Sequence, residues 1–280
     1  MKYLCVIIFA VYCQAALGQV IKGKIVDAES KDPIKYVNVG VVGKNKGTVS
    51  GVDGVFLIEL LPVYDTDTLR ISIVGYQPVS FVVKDIKEVA GQTNNELVIE
   101  LAKKFRILPE VVLAPLELDT KEIGSRNRLK AASIEYGSNK DFFAGMEVGT
   151  VMKMKGGRAF IKDVNFIITS NTYDDSALFR VNVYSMKDDM PGENILKDPI
   201  LVKTKIKKGT LTVNLEQQNI YVEDDFFVSL EWLEETAGKA ISFAIKIGNR
   251  KSFHRVVSLG PWEKVPLCTL SFYTTVLYVK

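Results

Sequence analysis

Only one histidine, His254, occurs in the 280 residues. Zinc peptidase chemistry needs two or three imidazole or carboxylate ligands around an open position, and no carboxylate-histidine helix motif is present, so ligand count excludes a zinc carboxypeptidase. A Ser-His-Asp or Cys-His arrangement would have to use that same histidine, and no Gly-x-Ser-x-Gly elbow exists to present a nucleophile. No glycine-rich phosphate loop opens a helix, and no loop has the oxygen-ligand spacing of an EF-hand, so neither metal nor cofactor is expected. Cysteine is scarce: of Cys5, Cys13 and Cys268, the first two lie in a segment expected to be cleaved, which leaves no intramolecular disulfide. Charge of one sign is missing too. The formal net charge of +3 gives no footprint for nucleic acid, and Lys203–Lys208 reads as an edge strand protected by lysines.

Beyond the N-terminus there is no second long apolar run. Met1-Lys2, the apolar stretch from Leu4 to Val11, and Ala16-Leu17-Gly18 before Gln19 read as a secretory signal peptide over residues 1–18. The run is too short to span a bilayer. Tyr12 is too bulky for the position before a lipidated cysteine, so Cys13 is not read as a lipid anchor. The mature chain is therefore expected to be exported to the periplasm or the cell surface, without a transmembrane segment. The absence of any Asn-x-Ser/Thr sequon is in keeping with a bacterial source.

What is present is β-pattern. Residues 19–114 carry seven short strand signals: 20–27, 36–42, 47–50, 55–60, 68–74, 78–83 and 96–101, separated by Gly, Pro, Asp and Asn. Asp53-Gly54, framed by Gly47 and Gly51, has the composition of a tight hairpin turn. Phe56, Ile58 and Leu60 share one face and Leu69, Ile71 and Ile73 another, and the two predict a core between facing sheets. A bulge or register change is expected near Tyr36. Gly23–Asp27, Pro33-Ile34, Val37-Asn38-Val39, Gly47-Thr48, Asp53–Phe56, Leu69, Ser72 and Val74-Gly75-Tyr76 together resemble the carboxypeptidase-regulatory-like domain found in envelope proteins of Bacteroidota. The resemblance covers about 80 residues and implies a seven-stranded immunoglobulin-like or transthyretin-like sandwich without an active site of its own. Val52 departs from the family pattern, which has an acidic residue before Asp-Gly.

After this domain, Glu110–Ala114 resembles the segment preceding the plug of TonB-dependent outer-membrane receptors, or is an ordinary strand. No barrel follows, so the chain is not itself the transporter. Residues 115–133, with Pro115, Gly124 and a charge-dense stretch, read as a connector containing at most a helical turn.

Residues 134–280 carry about nine longer strand signals and no convincing helix, which predicts an all-β chain with a jelly-roll-type sandwich as its second domain. Phe179–Ser185, the polar loop 187–194 and Asp224–Trp232 are similar to extracellular jelly-roll modules of adhesion and glycan-binding proteins, and the similarity implies a binding module. Loop aromatics with nearby acids suit a sugar, which stacks on rings and hydrogen-bonds to carboxylates. The candidate ligand residues are Trp262, Tyr173, Asp174, Asp175, Asp188 and Asp189. Trp232 alternates with Leu230 and reads as core, as do His254 and Cys268. Glu231, Glu234, Glu235 and Asp225 keep a paired-carboxylate hydrolase open. The expected function is a non-enzymatic, adhesive or accessory envelope protein that binds a surface glycan or a protein. The alternatives are a partner of an outer-membrane barrel in TonB-dependent transport, or a carbohydrate-active enzyme.

Overall fold

The computed structural model describes residues 18–93, 96–104, 118–126, 132–137, 144–234, 238–248 and 251–279. Residues 1–17 of the expected signal peptide 1–18, and Glu110–Ala114, lie outside the described residues. The chain forms two compact units, the first ending at Lys104 but including Val257–Pro261, and the second made of the remainder. Among the described residues no helix is long and apolar enough to cross a membrane.

The first unit contains all seven expected strands: β1 (Gln19–Asp27), β2 (Asn38–Val41), β3 (Gly47–Val49), β4 (Val55–Leu60), β5 (Thr68–Ser72), β6 (Val79–Val82) and β7 (Glu96–Leu101). They make a three-stranded sheet, β4-β1-β7, and a four-stranded sheet, β3-β2-β5-β6. Phe56, Ile58 and Leu60 from one sheet and Leu69 and Ile71 from the other are buried in a common core, with Ile73 packed against it. Alternating side chains placed those residues on one face, and burying that face is what holds two thin sheets together.

Three details differ from the sequence reading. Asp53-Gly54 is not a hairpin turn, because β3 and β4 belong to different sheets; it is the bend by which the chain crosses the sandwich. Gly54 has φ +76°, and a Cβ there would stand 2.5 Å from the Ile25 carbonyl oxygen, so both the conformation and the close approach require glycine. Seven short strands separated by turn residues predict an antiparallel sandwich, yet β1 and β7 pair in parallel. Finally, α1 (Val83–Gln92) follows β6 directly, with Val83, Ile86 and Ala90 buried at helical spacing. A ten-residue helix gains little from propensity alone, and its stability comes from that apolar stripe. Tyr36 sits at φ 58°, which accounts for the irregularity before β2.

The second unit is a sandwich of a seven-stranded and an eight-stranded sheet. In the seven-stranded sheet, β10 (Glu147–Met152), β12 (Ala177–Lys187), β17 (Phe226–Trp232) and β19 (Ser252–Arg255) are neighbours in the order β12-β17-β10-β19. β13 (Met190–Asn194) and β14 (Ile200–Thr204) pair with β12, and β20 (Glu263–Lys264) pairs with β19. The other sheet is built on β11 (Ala159–Asn171), in the order β21 (Cys268–Leu270), β18 (Ile241–Ile247), β11, β22 (Phe272–Val279), β8 (Leu118–Gly124), with β15 (Gly209–Asn214) and β16 (Tyr221–Val222) paired to β11 and β9 (Ser133–Tyr136) to β18. Phe166–Phe272 (4.7 Å) and Phe243–Phe272 (5.0 Å) pack edge to face on the eight-stranded sheet, Phe179–Trp232 (5.0 Å) does so on the other, and Trp232–Phe243 (6.3 Å) joins the two sheets. Trp232 is thus core, and Cys268 is buried as well.

Leu118–Gly124 falls within the stretch expected to be a connector, yet it pairs with β22 over seven residues. Its exposed charges belong to an edge strand. Met190–Asn194 likewise turns the expected 187–194 loop into a hairpin, whose bend is Asp188-Asp189, both at positive φ.

Candidate functional site

The residues singled out from sequence do not converge. Tyr173, Asp174 and Asp175 lie just before β12, while Asp188 and Asp189 form the bend just after it. An eleven-residue strand separates the two groups by about 36 Å at about 3.3 Å per residue. Tyr173 is half-buried, and burial pushes its phenol up to about 12. Asp174 pairs with Lys239 at 2.9 Å, and this hydrogen-bonded ammonium holds its carboxyl below the usual range. Trp262 packs on the same hydrophobic cluster as Met186 and Met190, which lie on either side of the Asp188-Asp189 bend. Its ring packs edge to face with Phe227 (5.1 Å) and Tyr184 (5.9 Å) and carries the Arg255 guanidinium 4.6 Å from its centroid. Burial lowers the His254 imidazole, and Glu263 at 3.9 Å opposes the effect.

A charged row that sequence reasoning missed crosses the face of the seven-stranded sheet opposite Trp232. The strand register puts Arg180 beside Glu231, Glu231 beside Glu147, and Glu147 beside Arg255. Both carboxylates are fully buried, and the arginines are 2% and 7% exposed. Arg180 binds Glu231 through Nε at 2.8 Å and through its terminal nitrogen at 2.7 Å. Arg255 donates to Glu147 at 2.5 Å, and Tyr184 donates to the same carboxylate at 3.2 Å. Ser229 donates to Glu147 as well. The Asn182 amide bridges the two acids, at 2.9 Å to Glu147 and 3.0 Å to Glu231, and its own oxygen accepts from Asn194 at 2.9 Å.

Burial disfavours the Arg255 charge, but Glu147, Tyr184 and Glu231 together outweigh it, and the guanidinium titrates above its ordinary value. Burial also drives the Tyr184 phenol well up, with the Glu147 charge adding to it. Two acids and two guanidinium groups cancel in charge, and the donors around them are neutral. A hydrolase pair must meet substrate and water, whereas these carboxylates are sealed and saturated with donors. Glu231 therefore serves the lock between strands, and of the other acids once grouped with it Asp225 pairs with Lys153, Glu234 is exposed, and Glu235 lies outside the described residues.

The open site is elsewhere in the second unit. A cleft of about 850 Å³ is walled by the ends of β8 and β18, by Thr269 of β21, and by β10 with the residues after it. Its apolar lining is Ile123, Val151, Ile245 and Ile247, and its cations are Arg126, Lys153, Lys155, Lys246 and Lys251. Arg126 is neutralised by Glu122 at 2.6 and 2.7 Å, and Lys153 by Asp225. Among the described residues, no ion pair engages Lys155, Lys246 or Lys251. A hollow of about 340 Å³ adjoins the cleft and shares Glu122, Ile123 and Lys155 with it. The volume and mixed lining are those of a small-ligand site. Each cation was visible in the sequence, but they come from four separate stretches that only the fold brings together.

Residues 21–113 match the family model described as CarboxypepD_reg-like domain, and the chain carries that domain. No curated protein matches the chain. Among solved structures, the cysteine protease and lectin-like domains of Cwp84, a surface-layer-associated protein of Clostridium difficile, align at 10% identity with a TM-score of 0.43, over 58% of this chain and 36% of that one. The chain thus spans about a third of that protein's length. A clostridial Cwp84 structure after propeptide cleavage aligns at 10% identity and TM-score 0.42, over 94% of this chain and 71% of that one. The infectious bursal disease virus VP2 subviral particle aligns at 8% identity and TM-score 0.24, over 95% and 65%.

Proposed function

We propose that this protein is a non-catalytic binding or accessory module of the cell envelope, exported by its N-terminal segment, and that the cleft of the second unit receives its ligand. The observation that carries the reading is the cleft itself: about 850 Å³ of open space whose walls are strand ends, with three cations that no acid of the described chain neutralises. Walls of that kind hold their shape without a ligand, so binding does not require ordering them first. The sealed carboxylates Glu147 and Glu231 fit the same reading, because they brace strands and are withheld from substrate. A CarboxypepD_reg-like domain alongside the cleft-bearing sandwich suits an accessory role, with a surface glycan or an outer-membrane barrel protein as the partner.

The test is capture from solubilised envelopes with the tagged full chain and with its Lys246→Glu/Lys251→Glu variant, followed by mass spectrometry of proteins and glycans. A ligand or partner held by the wild type and lost by the variant supports the reading. A molecule that is cleaved instead of retained would make the protein an enzyme, and equal capture by both forms would move the binding site out of the cleft.

A further inference from the structure

We infer that the cleft takes an amphiphilic anion, a single carboxylate or phosphate carried on an aliphatic chain, supplied as a free molecule and not as a membrane surface. The inference rests on the reading of the cleft as the ligand site and narrows it to one chemistry. Two observations carry it, one electrostatic and one about shape.

The cations line the same cleft as a set of aliphatic side chains. Ile247 is 77% exposed, and Ile123 and Ile245 are each half-buried in the same cleft. Aliphatic surface left in water is costly, and a ligand that covers it recovers that free energy. No aromatic side chain is among the described residues that line the cleft. A pyranose ring binds best on an aromatic face, whereas an alkyl chain needs only aliphatic surface, so the lining favours a chain over a sugar. Tyr278 stands in the adjoining hollow, with the Lys121 ammonium 4.9 Å from its ring.

The acid group of such a ligand meets Lys155, Lys246 and Lys251. These contribute three charges with no acid partner, while Glu122 and Asp225 cancel Arg126 and Lys153. A polyanion would need cations spaced along a track, and here the three line a single cleft. One anionic end is the simplest species that satisfies both the cations and the aliphatic lining.

The probes are octanoate, decanoate and dodecanoate below their micelle concentrations, with inorganic phosphate, decyl maltoside, oligogalacturonate and phosphatidylglycerol vesicles as comparators. Binding to the full chain is followed by titration calorimetry. Affinity is expected to rise about two- to fourfold per added methylene, the upper figure being full burial of each one. Lys246→Glu/Lys251→Glu should weaken dodecanoate at least about tenfold, and Ile247→Ser should flatten the chain-length dependence while leaving the charge dependence. Both sites are exposed or half-exposed, and unchanged melting temperatures would show that the variants fold. Equal binding of phosphate and dodecanoate would overturn the aliphatic half of the inference, and equal binding of decyl maltoside the anionic half. Binding of vesicles alone would overturn the free-ligand source. Cleft-dependent binding of oligogalacturonate, or of a neutral glycan captured from envelopes, would overturn the inference while leaving the binding-module reading intact; no cleft-dependent binding of any probe or envelope component would remove both.

Discussion

Arg180→Met is the sharpest test of the buried row. The substitution deletes both guanidinium contacts to Glu231, at 2.8 and 2.7 Å, and leaves a fully buried carboxylate without its counter-charge. Removing one partner of a buried pair costs about 3–5 kcal/mol. For a unit of this size each kcal/mol lowers Tm by about 2–4 °C, so the expected drop is roughly 6–20 °C. Arg180→Met/Glu231→Leu removes both charges and substitutes apolar side chains of comparable volume. It should return to within about 2 kcal/mol of the parent or exceed it, because Asn182 keeps its bond to Glu147. The assay is urea unfolding followed by tryptophan fluorescence. Both tryptophans, Trp232 and Trp262, lie in the second unit, so the signal reports that unit and a separate transition of the first does not contaminate it. A single variant that loses under about 1 kcal/mol would show that Glu231 finds water or protonates at little cost. A double variant as unstable as the single one would show that packing, and not charge, is what Arg180 supplies.

Three further outcomes concern the first unit. Asp27 accepts from the Ser30 and Glu29 backbone N–H groups and from Tyr76, which together hold its carboxyl below the ordinary 3.8 against the opposing effect of burial. The unfolded chain then takes up the proton first as pH falls, so this contribution is complete above 3.8 and is lost on acidification through the lower folded value. Tm against pH should therefore show Asp27→Asn below the wild type at neutral pH and merging with it near about pH 2; a constant gap would refute the linkage. Gly54→Ala puts a Cβ 2.5 Å from the Ile25 carbonyl oxygen at φ +76°, and calorimetry of the first unit should register a loss of at least about 1–2 kcal/mol. An unchanged transition would mean that the bend relaxes. Ile86→Ala should cost about 2–4 kcal/mol and speed amide exchange across Val83–Gln92; wild-type exchange there would show that the helix does not depend on its buried stripe.

The first unit was legible because its information is local. Each strand announces itself by a two-residue period, and each turn by Gly, Asp or Asn, so all seven strands lie where the pattern puts them. What local pattern does not encode is partnership: nothing in Gly47–Phe56 says that β3 and β4 leave for different sheets. The helix Val83–Gln92 was hidden because three buried residues in ten make a weak signal beside a strand ending in the same valines. In the second unit the failures share one physical cause. An edge strand exposes most of its side chains, so Leu118–Gly124 has the composition of a linker and is recognised only by its partner.

The charged row is the opposite case. Arg180, Glu231, Glu147 and Arg255 each interrupt an apolar strand, and one such residue alone reads as an accident of composition. Two cations and two anions, all in strands that are otherwise buried, make an even set that cannot be left unpaired at the cost of burying bare charge. The need for pairing was thus present in the sequence, and only the partners were not, since those depend on a register set by strands up to 108 residues apart. The same register that completes the lock on one sheet fixes the strand ends that frame the cleft: β10 supplies Glu147 to the row and Thr150 and Val151 to the cleft wall. A register slip of one residue in β10 would turn Glu147 into the aromatic core and withdraw Val151 from the wall, so the buried charges also specify the geometry in which a ligand is received.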